Sequence, residues 1–352
     1  MSGLTIATIA FSVTLLLSAT LPFAVKPILM RLGVIDIPSE RSSHERPILR
    51  GLGLAVLGAM TVGGFIAIYL LSFGHTPADP DQPAEWVILT CVMAISLGSG
   101  LLGFAEDLAG VSVKMRSILL LTIAFATGLL LALSANLSFW IGAVVVLYAV
   151  LYVSGYINVA NFMDGLNGIS GFHGVVAGIT FALAGAIAGL DWLIVAGGIL
   201  AAGFLGFLPW NLSKPGAFLG DVGSYLLGGA TAATSLFAFV NGVPLLATIG
   251  PMVVYFGDVA VTLVKRVRDG KNWDEPHKEH AYQRLQQSGF SHVTASGITT
   301  MFSVAVSALG IVSMFVEPVW WILLFFGGLM LLVVYLRLPR MLEATRRSRE
   351  NF

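Results

Sequence analysis

Charge is what this sequence has least of. Asp, Glu, Lys and Arg make up 11% of its 352 residues, against roughly a quarter in an ordinary soluble domain. With 57% hydrophobic residues and a mean hydropathy of +0.88, a soluble globular fold is excluded. There is one cysteine, Cys91, so no intrachain disulfide can form; inside an apolar run its expected role is that of a small buried apolar side chain. No basic stretch has the density of a nucleic-acid patch, so nucleic acid is not an expected partner. Internal repeats and low-complexity linkers are also missing.

Long apolar runs are what the chain does have. Spans are expected near 3–24, 51–73, 86–105, 117–133, 139–156, 172–190, 191–209, 223–241, 244–264, 296–315 and 319–337. Each approaches the roughly 17–25 residues needed to cross the hydrocarbon core. The expected fold is therefore an all-α integral membrane protein of about eleven transmembrane helices, in one polytopic domain over 1–352. The first run is too long for a signal-peptide core and has no basic residue before it, which makes it a membrane helix.

Charge, though scarce, is sorted by side. All 19 Lys and Arg fall on alternate connections and the C-terminal stretch. The opposite side carries only Asp79, Asp81, Glu85, Asp191 and Glu317. By the positive-inside rule the basic side is cytoplasmic, with the N-terminus outside and the C-terminus inside. The Pro- and Asp-rich stretch FGHTPADPDQPA near 74–85 reads as an outer turn.

The polar clusters share the basic side. NVANFMDGLNGIS (158–170) sets Asn161, Asp164 and Asn167 in membrane-grade sequence, which is costly unless they face water or a partner. The others are PSERSSHERPILRGLG (38–53), GFAEDLAGVSVKMR (103–116), PWNLSKPGAFLGDVGS (209–224) and DGKNWDEPHKEHAYQRL (269–285). Five loops, about 25–50, 106–116, 157–171, 210–222 and 265–295, thus converge on one face, the layout of an active site at the cytosolic interface.

Each cluster also has a plainer reading. Glu106 and Asp107 point about 100° apart on a helix and can line one cavity, or they mark where a helix leaves the membrane. With Asp164 and Asp221 they are hard oxygen ligands suited to Mg²⁺ or Mn²⁺, which keep waters and share substrate phosphates. Asp221, between Gly220 and Gly223, either binds or caps the helix that starts there; that helix end would also attract phosphate. His277 and His280, spaced i, i+3, suit phosphate contact or proton handling better than zinc, or are surface histidines of a basic loop. Phe218 stacks a nucleobase or packs against apolar neighbours. Asp258 serves as a site acid or as a partner for nearby bases. The basic loops could also simply hold anionic lipid headgroups.

Together these motifs resemble the polyprenyl-phosphate N-acetylhexosamine-1-phosphate transferases. NVANFMDGLNGI is similar to their NxxNxxDGxxGL signature, GFAEDLAGVSVKMR to the Gly-x-x-Asp-Asp loop, WNLSKPGAFLGDVGS to the Asn-to-Met-Gly-Asp-x-Gly-Ser stretch, and HERPILRGLGLAV to the early His-, Pro- and Gly-rich loop. The four occur in order over nearly the whole chain. PHKEHAYQRL looks most like the His-x-x-His-x-Tyr-Gln variant of the branch that starts O-antigen and related surface polysaccharides.

The resemblance implies a multi-pass protein of the bacterial inner membrane with a cytoplasmic active site. Undecaprenyl phosphate attacks the β-phosphorus of a UDP-N-acetylated hexosamine or deoxyhexosamine, such as FucNAc, QuiNAc or GlcNAc, and UMP leaves. It implies Asp221 as the main Mg²⁺ ligand, with Asp164 near metal and nucleotide and Asn161 beside it. Glu106 and Asp107 correspond to the acidic pair acting on lipid phosphate or metal. Asn211 and Phe218 fall on the uridine side, Asn167 on a polar substrate contact, and His277 and His280 on the loop that grips diphosphate. His44 and Arg50 fall where an early basic residue is expected. Membrane lipid is a partner, and a homodimer is left open. The family's Asp-Asp is Glu106-Asp107 here, and its DGxDG is Asp164-Gly-Leu-Asn167-Gly, which removes a charge. A phospho-MurNAc-pentapeptide transferase of peptidoglycan synthesis is the alternative within the family. A secondary transporter is the alternative outside it, though transporters place polar sites at the midplane and often show repeats.

Overall fold

Helices that are apolar all round have no water-facing side, so these must meet either lipid or one another. The computed structural model describes residues 1–36, 48–73, 83–213, 216–272, 275 and 277–350. Eleven helical segments within them are long and apolar enough to cross a membrane. They are α1 (Gly3–Thr20), α3 (Gly53–Ser72), α4 (Glu85–Ala109), α5 (Val113–Ser134), α6 (Phe139–Met163), α7 (Ile169–Ala188), α8 (Asp191–Leu212), α9 (Gly220–Val240), the segment Leu245–Arg268, α13 (His292–Val312) and a final segment from Pro318 to Glu343. The eleven expected spans are present.

Their ends differ from those expected, and the difference matters for the site. The first run breaks at Leu21, after which α2 (Pro22–Arg31) begins with proline at its first position, where no N–H is needed. The ninth span is not one helix: α10 (Leu245–Ile249) passes through a 3₁₀ turn at Gly250–Met252 into α11 (Val253–Arg268). At the basic end several helices run past the apolar stretch. Helix α4 continues to Ala109 and stops at Gly110, whose left-handed φ of 63° no β-carbon residue adopts easily. Helix α6 continues to Met163. Glu106, Asp107 and Asn161 therefore sit on last helical turns rather than in loops. A short antiparallel ladder, β1 (Ile35–Asp36) with β2 (Ile48–Leu49), is an addition to the all-α expectation. The turn expected at 74–85 lies largely outside the described residues.

The centre of the bundle is α9, buried around nearly its whole circumference. Its sequence is rich in Gly, Ala, Ser and Thr, which lets neighbouring backbones approach closely in lipid. A β-carbon at Gly228 would stand 2.6 Å from Ile157 Cα of α6, and one at Gly103 of α4 would collide with the Asp221 backbone carbonyl. Helices α7 and α8 meet the same way, Gly178 against Ala201 and Gly197 against Ala182. Large side chains are left for the periphery: Phe139, Trp140, Leu151 and Met301 are all exposed, as lipid-facing residues should be. Inside the bundle His173 stacks on Tyr255 at 3.8 Å and meets the Tyr156 hydroxyl at 2.7 Å through Nε2.

Candidate active site

Each span reverses the chain, so the connections after α4, α6, α8 and α11 share one end of the bundle with the α2–α3 connection. Helix α12 (Ala281–Gln287) lies in the α11–α13 connection. At that end the residues singled out in sequence form two clusters joined through the Asp164 loop.

The first cluster is built where α9 begins. Gly220, with φ 77°, turns the chain into the helix, and a β-carbon there would sit 2.5 Å from Asp107 Oδ2 and 2.7 Å from Gly51 Cα. That closeness lets Asp107, from α4, cap α9. The Asp221 N–H donates to Asp107 Oδ1 at 3.1 Å and the Val222 N–H to Oδ2 at 2.9 Å. The helix-cap alternative for Asp221 is thereby answered: the cap is Asp107, with its side chain fully buried, and Asp221 stands on the first turn with its carboxylate outward. Arg50 bridges the two acids. Its Nε lies 2.8 Å from Asp107 Oδ1 and an Nη2 lies 2.6 Å from Asp221 Oδ2. The β1–β2 ladder and the Phe218 N–H, which donates to Leu49 O at 2.9 Å, hold Arg50 in place. Asn161 completes the cluster, donating from Nδ2 to Asp221 Oδ1 at 2.8 Å and to Ser224 Oγ at 3.1 Å.

Glu106 does not share that network. Its Oε1 lies 3.4 Å from Arg116 Nη1, and its Oε2 is buried with no hydrogen-bond partner among the described residues. Adjacent positions on α4 point about 100° apart, so Glu106 meets Arg116 of α5 while Asp107 meets Arg50.

The loop 164–168 lies between the clusters. Asp164 Oδ1 accepts from Ser170 Oγ at 2.6 Å. Burial, reinforced by the Asp221 charge, pushes the Asp164 carboxyl up to about 7, against the opposing Ser170 hydrogen bond and Arg50 charge. Asn167 and Asn211 latch this loop to the 211–219 stretch. Asn167 Nδ2 donates to Asn211 O at 2.8 Å, Asn211 Oδ1 accepts from the Gly168 N–H, and Asn211 Nδ2 donates to Ala217 O at 3.0 Å. Asn211 is buried and both ends of its amide are engaged within the protein. Phe218, half-buried, follows directly on this latch.

The second cluster holds the histidines. His277 and His280 face each other with ring centres 4.9 Å apart. The Glu279 N–H donates to His277 Nδ1 at 3.3 Å. Burial, then the neighbouring His280 and Arg266 charges, lowers the His277 pKa to about 4, so its ring is neutral near neutral pH. Their loop is tied down by Arg266, whose Nη1 meets Glu279 Oε1 at 2.7 Å and whose Nη2 donates to Asn272 O at 2.7 Å, and by Lys271, 2.8 Å from the same carboxylate. Tyr282, stacked beside His280, donates its hydroxyl to Phe162 O at 3.0 Å and so pins α12 to the end of α6. His44 lies outside the described residues.

Several participants escaped the sequence reading. Arg116, Ser170 and Ser224 each stood within a quoted or adjoining polar segment, but nothing in their spacing shows whom they touch. Asp258, left open between two roles, is buried among α11, α12 and the last span and meets His280 Nδ1 at 3.3 Å.

No three His, Cys, Asp or Glu side chains among the described residues converge to cage a metal. The donor chemistry nonetheless fits a hard cation held largely by substrate oxygens: acid oxygens of Asp221 and Asp107 already embrace one cation, the Arg50 guanidinium.

The helical bundle thus gathers acids, amides, an arginine and a histidine pair at one end. Comparison with known proteins gives the class. Residues 88–239 match the family model described as glycosyl transferase family 4. The chain is 27% identical over 297 residues, 81% of its length and 78% of the relative's, to a probable undecaprenyl-phosphate N-acetylglucosaminyl 1-phosphate transferase of Bacillus subtilis (strain 168). It is 29% identical over 310 residues, covering 77% and 74%, to a decaprenyl-phosphate N-acetylglucosaminephosphotransferase of Mycobacterium tuberculosis (strain ATCC 25618 / H37Rv). A phospho-N-acetylmuramoyl-pentapeptide-transferase of Symbiobacterium thermophilum is 32% identical over 235 residues, covering 59% and 70%. The chain belongs to the polyprenyl-phosphate N-acetylhexosamine-1-phosphate transferase superfamily.

Proposed function

We propose that this chain transfers a sugar 1-phosphate from a UDP-N-acetylated hexosamine or deoxyhexosamine to undecaprenyl phosphate and releases UMP. The relatives named for polyprenyl-phosphate acceptors and N-acetylglucosamine support the acceptor and donor classes. The observation that carries the reading is the network in which Arg50 joins Asp107 to Asp221 while Asn161 holds the same Asp221. The His-x-x-His-x-Tyr-Gln form of residues 277–283 favours the surface-polysaccharide branch and donors such as FucNAc, QuiNAc or GlcNAc. The clustering of basic residues at the site end supports a cytoplasmic active face, an outer N-terminus and an inner-membrane location.

The chemistry suits the side chains. An acceptor phosphate oxygen attacks the donor's β-phosphorus, and the bond from that phosphorus to the bridging oxygen breaks. That oxygen and its electron pair leave on UMP. Such transfers need positioning and charge neutralisation more than covalent help. Asp221, with Asp164, would hold Mg²⁺ or Mn²⁺, which when bound neutralises phosphate oxygens. Arg50 offers its guanidinium to the acceptor phosphate, and His277 and His280 grip the donor diphosphate. Asn161 fixes the Asp221 carboxylate, while Asn167 and Asn211 set the loop on which Phe218 stacks uracil.

Purified full-length protein with Mg²⁺ and undecaprenyl phosphate should release UMP from at least one UDP-N-acetylhexosamine in a broad donor panel. Folded protein that is inert with every donor overturns the reading. The 32% identity to the Symbiobacterium enzyme favours including UDP-MurNAc-pentapeptide; turnover with that donor alone moves the chain to the peptidoglycan branch.

A further inference from the structure

Asp258 lies on α11 with no exposure at all and outside every motif above. A buried carboxylate is retained only where partners satisfy it. Five groups surround this one. The Ala281 N–H donates to Oδ1 at 2.9 Å and the Tyr282 N–H approaches Oδ2 at 3.4 Å, so Asp258 holds the first turn of α12. The Tyr335 hydroxyl donates to Oδ2 at 2.8 Å and the Thr262 hydroxyl to Oδ1 at 3.3 Å. The fifth is His280 Nδ1, 3.3 Å from Oδ1.

A carboxylate oxygen only accepts, so in its contact with Asp258 the His280 Nδ1 carries the proton; the Gln283 N–H, which faces the same side chain in the α12 capping box, would need an acceptor nitrogen there and is the arrangement that the Asp258 contact opposes. Nε2 is then the atom His280 has left for the site. His277 is set the opposite way, because its Nδ1 accepts the Glu279 N–H and its neutral ring keeps the proton on Nε2. Two rings 4.9 Å apart thus present unlike Nε2 atoms, one carrying a proton and one tied through its far side to a carboxylate. Which nitrogen faces a ligand is set by the bond the other nitrogen makes.

We propose that Asp258 is a positioning residue for the transfer, fixing the tautomer and ring orientation of His280 and, through the α12 first turn, the seat of Tyr282 against Phe162. The proposal rests on the transferase reading for its consequence in turnover but not for the histidine geometry. Asp258 touches no substrate; it acts through His280, as the outer partner of a ligating histidine does. Its place outside the signature motifs explains why a sequence reading leaves its role open: Asp258 and His280 are 22 residues apart and meet only because α12 folds back on α11.

The test uses the full chain in nanodiscs with ¹⁵N-labelled histidine, His280 and His277 being assigned by difference against H280N and H277N. In wild-type protein the expected spectrum has a proton on His280 Nδ1, and the His277 proton on Nε2. In Asp258→Asn the His280 signals should shift to a mixture of tautomers. Tyr335→Phe, which removes a bond to the same carboxylate on the side away from the ring, should leave them unchanged. In the UMP-release assay Asp258→Asn should lower kcat by about 10- to 100-fold with little change in donor KM, and Tyr335→Phe should stay near wild type. A wild-type His280 without a proton on Nδ1, or equal kinetic effects of the two variants, overturns the proposal. If wild-type protein is inert with every donor, the transferase reading falls while the tautomer spectrum still decides the role of Asp258; the wild-type spectrum also decides it should Asp258→Asn fail to fold.

Discussion

Asp107 and Asp258 do the same job in two places and differ in what surrounds them. Each comes from a membrane span and receives the first N–H groups of a helix that starts beside it, α9 for Asp107 and α12 for Asp258. Asp107 is balanced by Arg50, whose side chain is 37% exposed. Asp258 is enclosed by a phenol, a hydroxyl and an imidazole, all buried. An open cation can be exchanged for another cation or offered to a phosphate. Asp258, enclosed in this way, cannot, and holds the geometry of its neighbours, His280 among them. On the proposed transferase reading, the Asp107–Arg50–Asp221 end is the side that meets phosphate, and Asp258 supports the histidine side.

Substitutions can break that contrast. Asp107→Asn should have the largest effect on stability, because it weakens the α9 cap and strips Arg50 of one of its two acids together. Loss of the cap alone costs about 0.5–2 kcal/mol, so the thermal midpoint should fall clearly, and UMP release should fall with it. A variant with unchanged midpoint and rate would show that α9 is held by other means.

Asp164 sharpens the contrast through pH. Its folded pKa of about 7 lies above the ordinary carboxylate value, so the folded state favours the protonated form. The stabilisation is fully present below about pH 4 and is lost as pH rises through about 7. Metal-free protein should therefore lose thermal stability between pH 5 and 8 in a component that Asp164→Asn abolishes. The same ionisation should make divalent-cation affinity rise over that range. An Asp164→Asn variant with the wild-type pH slope would contradict this.

The smallest effect is expected at Glu106. Its Arg116 contact is 3.4 Å long and partly exposed, and such pairs are worth about 1 kcal/mol or less. Glu106→Gln should change the midpoint little and leave turnover within a few-fold of wild type. A loss as large as that of Asp107→Asn would put Glu106 back into the reacting centre.

Much of this was legible in residue order. The eleven spans follow from apolar run length, and the motif residues from polar groups that lipid rejects. The helix ends at the site were not, because a run stops being apolar before its helix stops being capped: α4 carries Glu106 and Asp107 on to Gly110, and α6 carries Asn161 on to Met163. Pairings between distant elements were hidden as well. Asp107 reaches the Asp221 N–H across 114 positions and Asn167 reaches Asn211 O across 44, and no local pattern marks either. Asn211 shows the cost of that blindness: read as a nucleotide contact, it also spends both ends of its amide holding two loops together.

UMP release by Asp221→Ala, measured beside wild-type protein with the donor that the panel identifies, bears most directly on the acid cluster as the reacting centre. Asp221 accepts from Arg50 and Asn161 on a first helical turn whose cap is another residue, so the variant should fold. Turnover should drop to background while the thermal midpoint stays close to that of the wild type. A folded Asp221→Ala protein that releases UMP at the wild-type rate would contradict the account.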